Sequence, residues 1–131
     1  DQAIGTIDIR YPVTKDLEVM RKEFLKAANS SDEATVTING IGKPLFYAPD
    51  SPLVKTLLSA YQEVTGDKTH LPITMGGGTY AKGIKNTIAF GGEFPDDPDI
   101  HMHGDDEFIP KENLLKQTEI YVLAILKLLE L

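Results

Sequence analysis

The chain has 131 residues, with 13 basic and 20 acidic side chains, a formal charge of −7, 41% hydrophobic residues and no cysteine. This length fits one domain or two small lobes and buries roughly two-thirds of the surface an unfolded chain exposes, and the ordinary apolar content excludes a disordered tail. The missing cysteines exclude disulfides, thiolate metal sites and a thiol nucleophile, and the negative charge gives no electrostatic reason to seek nucleic acid or anionic lipid.

No charged n-region precedes an apolar run, so no secretory signal is expected and a cytoplasmic placement follows. Residue 1 is Asp rather than Met, which suggests a segment of something longer. In chain order, Ala3 to Arg10 alternates and is rich in β-branched residues, and it reads as a strand ended by Pro12. Lys15 to Asn29 carries Leu17, Met20, Phe24 and Ala28 on one helical face, with Thr14 as a plausible N-cap. Ser30 to Glu33 reads as a turn, and Ala34 to Ile41 alternates again as a second strand. The first ~45 residues are therefore expected to be β-α-β, half of a ferredoxin-like unit, and the chain as a whole α+β.

Gly42, Pro44, Pro49 and Pro52 punctuate a connector, with a short apolar step at Leu45 to Ala48. Asp50 or Ser51 can cap the next helix, Pro52 suits its first position, and Gly66 supplies its stop after Val64. Leu71 to Met75 and Thr87 to Phe90 read as short strands. Pro110 opens a final helix of ~20 residues. Apolar side chains from Leu114 to Leu129 wrap more than half of that helix, so it needs cover on more than one side. A missing lobe or a partner chain is the expected cover; the alternative is a small monomer that buries the helix well. Its longest uncharged run, Ile120 to Leu126, falls far short of the ~20 apolar residues a bilayer needs.

Glu93 to Glu107 holds seven acidic residues and no Lys or Arg, and thus carries the whole net charge. His101 and His103 lie inside it. The loop lacks the glycine an EF-hand requires, and although imidazole and carboxylate both suit zinc, a catalytic zinc needs at least three protein ligands. Read alone, the loop is a solvated surface segment. His70, in a Gly-Asp-Lys-Thr turn, reads as a solvent residue. Gly76-Gly77-Gly78-Thr79-Tyr80-Ala81 fits a G-x-G-x-x-A pattern, but the crossover helix that a dinucleotide fold requires does not follow. The glycines permit close approach of a ligand to the backbone or, equally, a tight structural turn. Arg10 ends its strand with the side chain best suited to clamp a carboxylate, or lies there as an ordinary surface residue.

The order of the pieces says more than any one of them. Asp8-Ile9-Arg10-Tyr11-Pro12 is followed by Asp50-Ser51-Pro52-Leu53-Val54 into a helix ending Thr65-Gly66. Then come Gly76-Gly77-Gly78-Thr79-Tyr80-Ala81-Lys82, Asn86-Thr87-Ile88-Ala89-Phe90-Gly91 and His103-Gly104-Asp105-Asp106-Glu107-Phe108-Ile109. Together they resemble the C-terminal part of dipeptidase V-type enzymes, members of the co-catalytic di-zinc metallopeptidases that include carnosinases, aminoacylases and carboxypeptidase G.

The resemblance implies a two-part fold, with residues 1–48 closing a lid domain and 49–131 returning into an α/β catalytic domain. It implies that His103 is a metal ligand, that Arg10 holds the free carboxylate of a dipeptide substrate, and that Gly77, Gly78 and Thr79 line the substrate site. Lys82 stands where many relatives have Arg, and His101 matches nothing, so neither receives a role. The implied chemistry is metal-assisted hydrolysis, in which two zinc ions acidify a water and a Glu takes its proton. The other zinc ligands and that Glu belong to an N-terminal half of the catalytic domain that this sequence does not contain. No catalytic residue is therefore expected here, and the segment alone is expected to be inactive while its parent cleaves dipeptides. Two alternatives stand beside this reading: a di-zinc deacylase of N-acyl amino acids, and a non-catalytic α+β module that pairs edge to edge as a homodimer.

Overall fold

The computed structural model describes residues 3–30, 35–40 and 42–131. They form three α-helices, α1 (Leu17–Ala28), α2 (Pro52–Thr65) and α3 (Lys111–Leu128), with a 3₁₀ turn at Tyr80–Gly83 before α3. Among the described residues there is no β-strand, so the described structure is all-α and the expected α+β class, with its ferredoxin-like β-α-β portion, is corrected. The alternating segments at 3–10, 71–75 and 87–90 follow the strand pattern but have no strand ladder to join. Residues 35–40 of the second expected strand behave alike, whereas its ends, Ala34 and Ile41, and turn residues 31–33 lie outside the described residues. The physical reason is that alternation only prepares an extended segment, and a strand exists when a neighbour accepts its N–H and C=O groups. Here the side chains of the face that would be covered stand in solvent, with Ile7 79% and Ile9 47% exposed.

Helix α1 starts two residues later than the pattern implied, because Asp16 rather than Thr14 is the N-cap and accepts from the Val19 N–H at 2.9 Å. Its predicted face of Leu17, Met20, Phe24 and Ala28 is half-buried, yet no residue of α1 is fully buried. Asn29 closes the helix and accepts from the Val36 N–H at 2.7 Å, tying α1 to the following extended segment.

Helix α2 is written almost fully in its sequence. Ser51 is the N-cap, Pro52 takes the first turn, and Gly66 stops the helix in the left-handed region at φ +73°, where a side chain would be strained. Among the described residues, α2 and α3 are the only helices in contact. Their seam is built on small residues: Ala60 is 0% exposed and lies with Ala124 and Leu57 in one cluster, closed by Leu53, Ile88, Phe90, Leu123 and Leu128. Two alanines bring the helix axes close, and the leucines and Phe90 fill the flanks. A Lys127–Glu63 ion pair at 2.9 Å borders the seam.

The covered side of α3 runs through Gln117, Ile120 and Ala124. The opposite side remains open: Leu115, Val122, Leu126 and Leu129 fall on one stripe of the helix and are all exposed. The described chain therefore meets only one of the two sides that the apolar pattern requires.

Candidate functional site

The Gly76 loop and the Arg10 segment are 66 positions apart, yet the structure brings them together. The Arg10 guanidinium Nη1 lies 3.2 Å, and its Cδ 3.5 Å, from the point a β-carbon on Gly76 would occupy. On its other side the Arg10 Nε stands 3.6 Å from the Asp8 carboxylate, and the Arg10 side chain is 66% exposed. An exposed pair of this kind contributes little stability, and it leaves most of the guanidinium fork open to a further carboxylate.

None of the three loop glycines has a positive φ, so backbone conformation does not explain them. At Gly76 the explanation is the close approach of Arg10. At Gly77 and Gly78 a β-carbon would meet nothing within 4 Å, and both face open space beside that guanidinium's loop. Thr79 uses its hydroxyl to accept from the Ala81 N–H at 3.2 Å, which caps the short 3₁₀ turn and seats buried Ala81. Lys82 is exposed and takes part through its backbone alone, donating to the Thr79 carbonyl at 3.2 Å.

The acidic loop is anchored at one end and strained at the other. Asp97 accepts from the Asn113 carboxamide and, at 2.9 Å, from the Phe94 N–H. Phe94 in turn stacks on Tyr61 at 6.4 Å between centroids and sits under the Lys116 ammonium at 5.2 Å. Further on, His101, His103 and Asp106 all have φ between +54° and +63°. Three left-handed non-glycine residues within six positions cost of the order of 1 kcal/mol or more each, and such strain gathers where a loop must present its side chains in one particular way.

His103 donates its backbone N–H to the Glu107 carboxylate at 3.2 Å, a link that fixes the His-x-x-x-Glu block as one local unit. His101 places its ring edge-on to Phe108 at 6.2 Å, with Nδ1 3.3 Å from the Asp105 carbonyl oxygen. Among the described residues no group of three or more His, Asp or Glu side chains converges as metal ligands would. The His103 imidazole suits zinc chemically as a single ligand, but the described residues do not by themselves hold the ion. Two open hollows lie elsewhere. One of about 650 Å³ lies along the open side of α3, where Leu115, Val122 and Leu126 border Glu63 and Val64 of α2, and one of about 380 Å³ is lined by Gly92, Ile100, Met102, Glu107 and Phe108; neither includes Arg10 or His103.

One cluster escaped the sequence reading. His70 is solvent-exposed, as its turn implied, and its Nδ1 lies 2.7 Å from Asp67 Oδ2. The same carboxylate accepts from the Tyr61 hydroxyl at 2.7 Å, and its other oxygen accepts from the Thr69 N–H at 2.8 Å and the Thr69 hydroxyl at 2.7 Å. The Tyr61 hydrogen bond, followed by those from Thr69, holds the Asp67 carboxyl well below the usual carboxylate range. Burial, followed by the bond to Asp67, pushes the Tyr61 hydroxyl up to about 12. The available signal was Asp two residues before Thr just past a helix-ending Gly, an Asx turn in which Asp hydrogen-bonds the backbone two residues on.

The sequence pattern of Peptidase family M20/M25/M40 matches residues 3–127, and the chain belongs to this family. Among its relatives is "Putative dipeptidase YtjP" of Bacillus subtilis (strain 168), 42% identical over 122 residues, which are 93% of this chain and 25% of the relative. A "Putative dipeptidase" of Staphylococcus epidermidis is 38% identical over 119 residues, covering 91% of this chain and 25% of the relative. One of Staphylococcus haemolyticus, "Putative dipeptidase SH1171", is 35% identical over 122 residues with the same 25% share of its length. The chain thus spans about a quarter of the length of these relatives. No solved structure gives a significant match. No helix among the described residues is long and apolar enough to cross a membrane.

Proposed function

We propose that this chain is the C-terminal portion of a zinc-dependent dipeptidase, with residues 1–48 ending its lid and 49–131 belonging to its catalytic domain. The reading takes its activity class from the relatives named as dipeptidases and its chemistry from one observation, the meeting of Arg10 with the glycine loop. Arg10 binds the free C-terminal carboxylate of a dipeptide through its open guanidinium fork. Gly77 and Gly78 leave the backbone bare so that the substrate lies close to it, and Thr79 keeps the loop in register by capping the 3₁₀ turn. These residues bind and orient; none of them makes or breaks a bond.

His103 would supply one zinc ligand, with Glu107 fixing the loop that presents it. The remaining zinc ligands and the group that takes the water's proton are assigned to the rest of the full-length enzyme. The exposed stripe of α3 fits the same reading, since a lobe packed against it would supply the second cover that the helix needs.

Arg10→Ala in the full-length enzyme tests the proposal. Loss of a charged hydrogen-bond pair to substrate is worth about 1.5–3 kcal/mol, so dipeptide turnover (kcat/KM) should fall by about 10- to 100-fold. A C-terminally amidated dipeptide, which offers no carboxylate, should lose little. Equal losses on both substrates would remove the clamp, and faster cleavage of N-acyl amino acids than of dipeptides would move the enzyme to the deacylase class.

A further inference from the structure

Gly76 is the one loop glycine whose missing side chain has a visible consequence. A β-carbon there would stand 3.2 Å from Arg10 Nη1 and 3.5 Å from Arg10 Cδ, with no other atom within 4 Å. The first of these separations is tighter than ordinary van der Waals contact, and both atoms belong to a flexible, exposed side chain rather than to backbone. The Gly76 backbone is outside the left-handed region, so alanine adopts it without strain. An added methyl group is therefore accommodated most cheaply when the flexible end of Arg10 gives way by a few tenths of an ångström.

We infer that Gly76 is a positioning residue for Arg10, its bare α-carbon forming the floor against which the guanidinium rests so that its fork faces the neighbouring loop. The inference rests on the proposed role of Arg10 as the carboxylate clamp. It adds a residue outside the set of Gly77, Gly78 and Thr79, and it assigns the first glycine of the triplet a different task from the other two. The first supports a side chain, whereas the second and third leave room for a ligand.

Two measurements decide it. In the 131-residue chain, labelled with ¹⁵N, the Arg10 Nε–H resonance should shift in Gly76→Ala while the backbone resonances of α2 and α3 stay in place. An unmoved Arg10 resonance overturns the contact. In the full-length enzyme, Gly76→Ala should lower kcat/KM for a dipeptide by a few-fold, mostly through KM, because the guanidinium has to give way by a few tenths of an ångström from the position in which it clamps the carboxylate. It should leave the amidated dipeptide unaffected and add no further loss in an Arg10→Ala background. A Gly76→Ala loss that persists undiminished beside Arg10→Ala, or wild-type turnover of the dipeptide by Gly76→Ala, overturns the positioning role while leaving the clamp intact. If Arg10→Ala itself damages both substrates equally, the clamp fails instead, a result that the resonance shift alone would not produce.

Discussion

Leu57→Ala measures how much of the fold depends on the α2–α3 seam. Leu57 is 7% exposed and sits in the cluster with Ala60 and Ala124, so truncation removes nearly the full transfer free energy of its side chain and leaves a gap between two helices. Fully buried Leu→Ala changes cost about 2–5 kcal/mol, and the seam is short and bordered by solvent, which allows some collapse and favours the lower half of that range, about 2–3 kcal/mol. Leu126→Ala is the matched control, because Leu126 is 55% exposed on the opposite stripe of α3 and should cost about 0.5 kcal/mol or less. Urea unfolding followed by circular dichroism at 222 nm reads both variants. With an m-value of about 1–1.5 kcal/mol/M for so small a core, Leu57→Ala should lower the midpoint by about 2 M while Leu126→Ala leaves it nearly unchanged. Equal losses would mean that the outer face of α3 is covered in solution and that the seam is not what holds the helices.

Three further outcomes follow from local geometry. The Tyr61 hydroxyl, pushed up to about 12 in the folded chain, adds stability that is complete below about pH 10, where an unfolded tyrosine keeps its proton, and that disappears as pH rises toward 12; thermal melts of Tyr61→Phe should lose this alkaline fall. Ser51→Ala deletes the hydroxyl that accepts from the Val54 N–H at 3.4 Å and should cost about 1 kcal/mol, the usual cap value, whereas Ser51→Asp should hold the midpoint near wild type. In the full-length enzyme, His103→Ala should lower bound zinc measured by atomic emission and His101→Ala should not; the reverse result would move the ligand by two positions.

The helices were legible because their signals are local. Ser51, Pro52 and Gly66 each act within one turn of the residue that reads them, and the structure places α2 between them. The Asp16 cap of α1 was misread as Thr14 because both residue types suit the position and only the geometry of the Val19 N–H decides between them. The strands were not legible in the same sense. Alternation in Ile4, Gly5, Thr6, Ile7, Asp8 and Ile9 records which face a covered strand would show, but pairing is non-local and depends on residues that alternation does not name. The excess apolar surface of α3 was legible in the sequence, and the structure shows that face open. At the candidate site, the residue types of Arg10 and the glycines were readable and their meeting across 66 positions was not. The Tyr61–Asp67–His70 cluster was passed over because His70 was considered without the carboxylate three residues before it.

On the proposed reading, this chain positions a substrate and does not complete a hydrolytic centre. The direct measurement is dipeptide hydrolysis, with zinc supplied, by the 131-residue chain and by the full-length enzyme side by side, following release of free amino acids. Turnover is expected from the full-length enzyme and none from the chain; release of amino acids by the chain at a comparable rate, or a full-length enzyme indifferent to dipeptides, would overturn the proposed function.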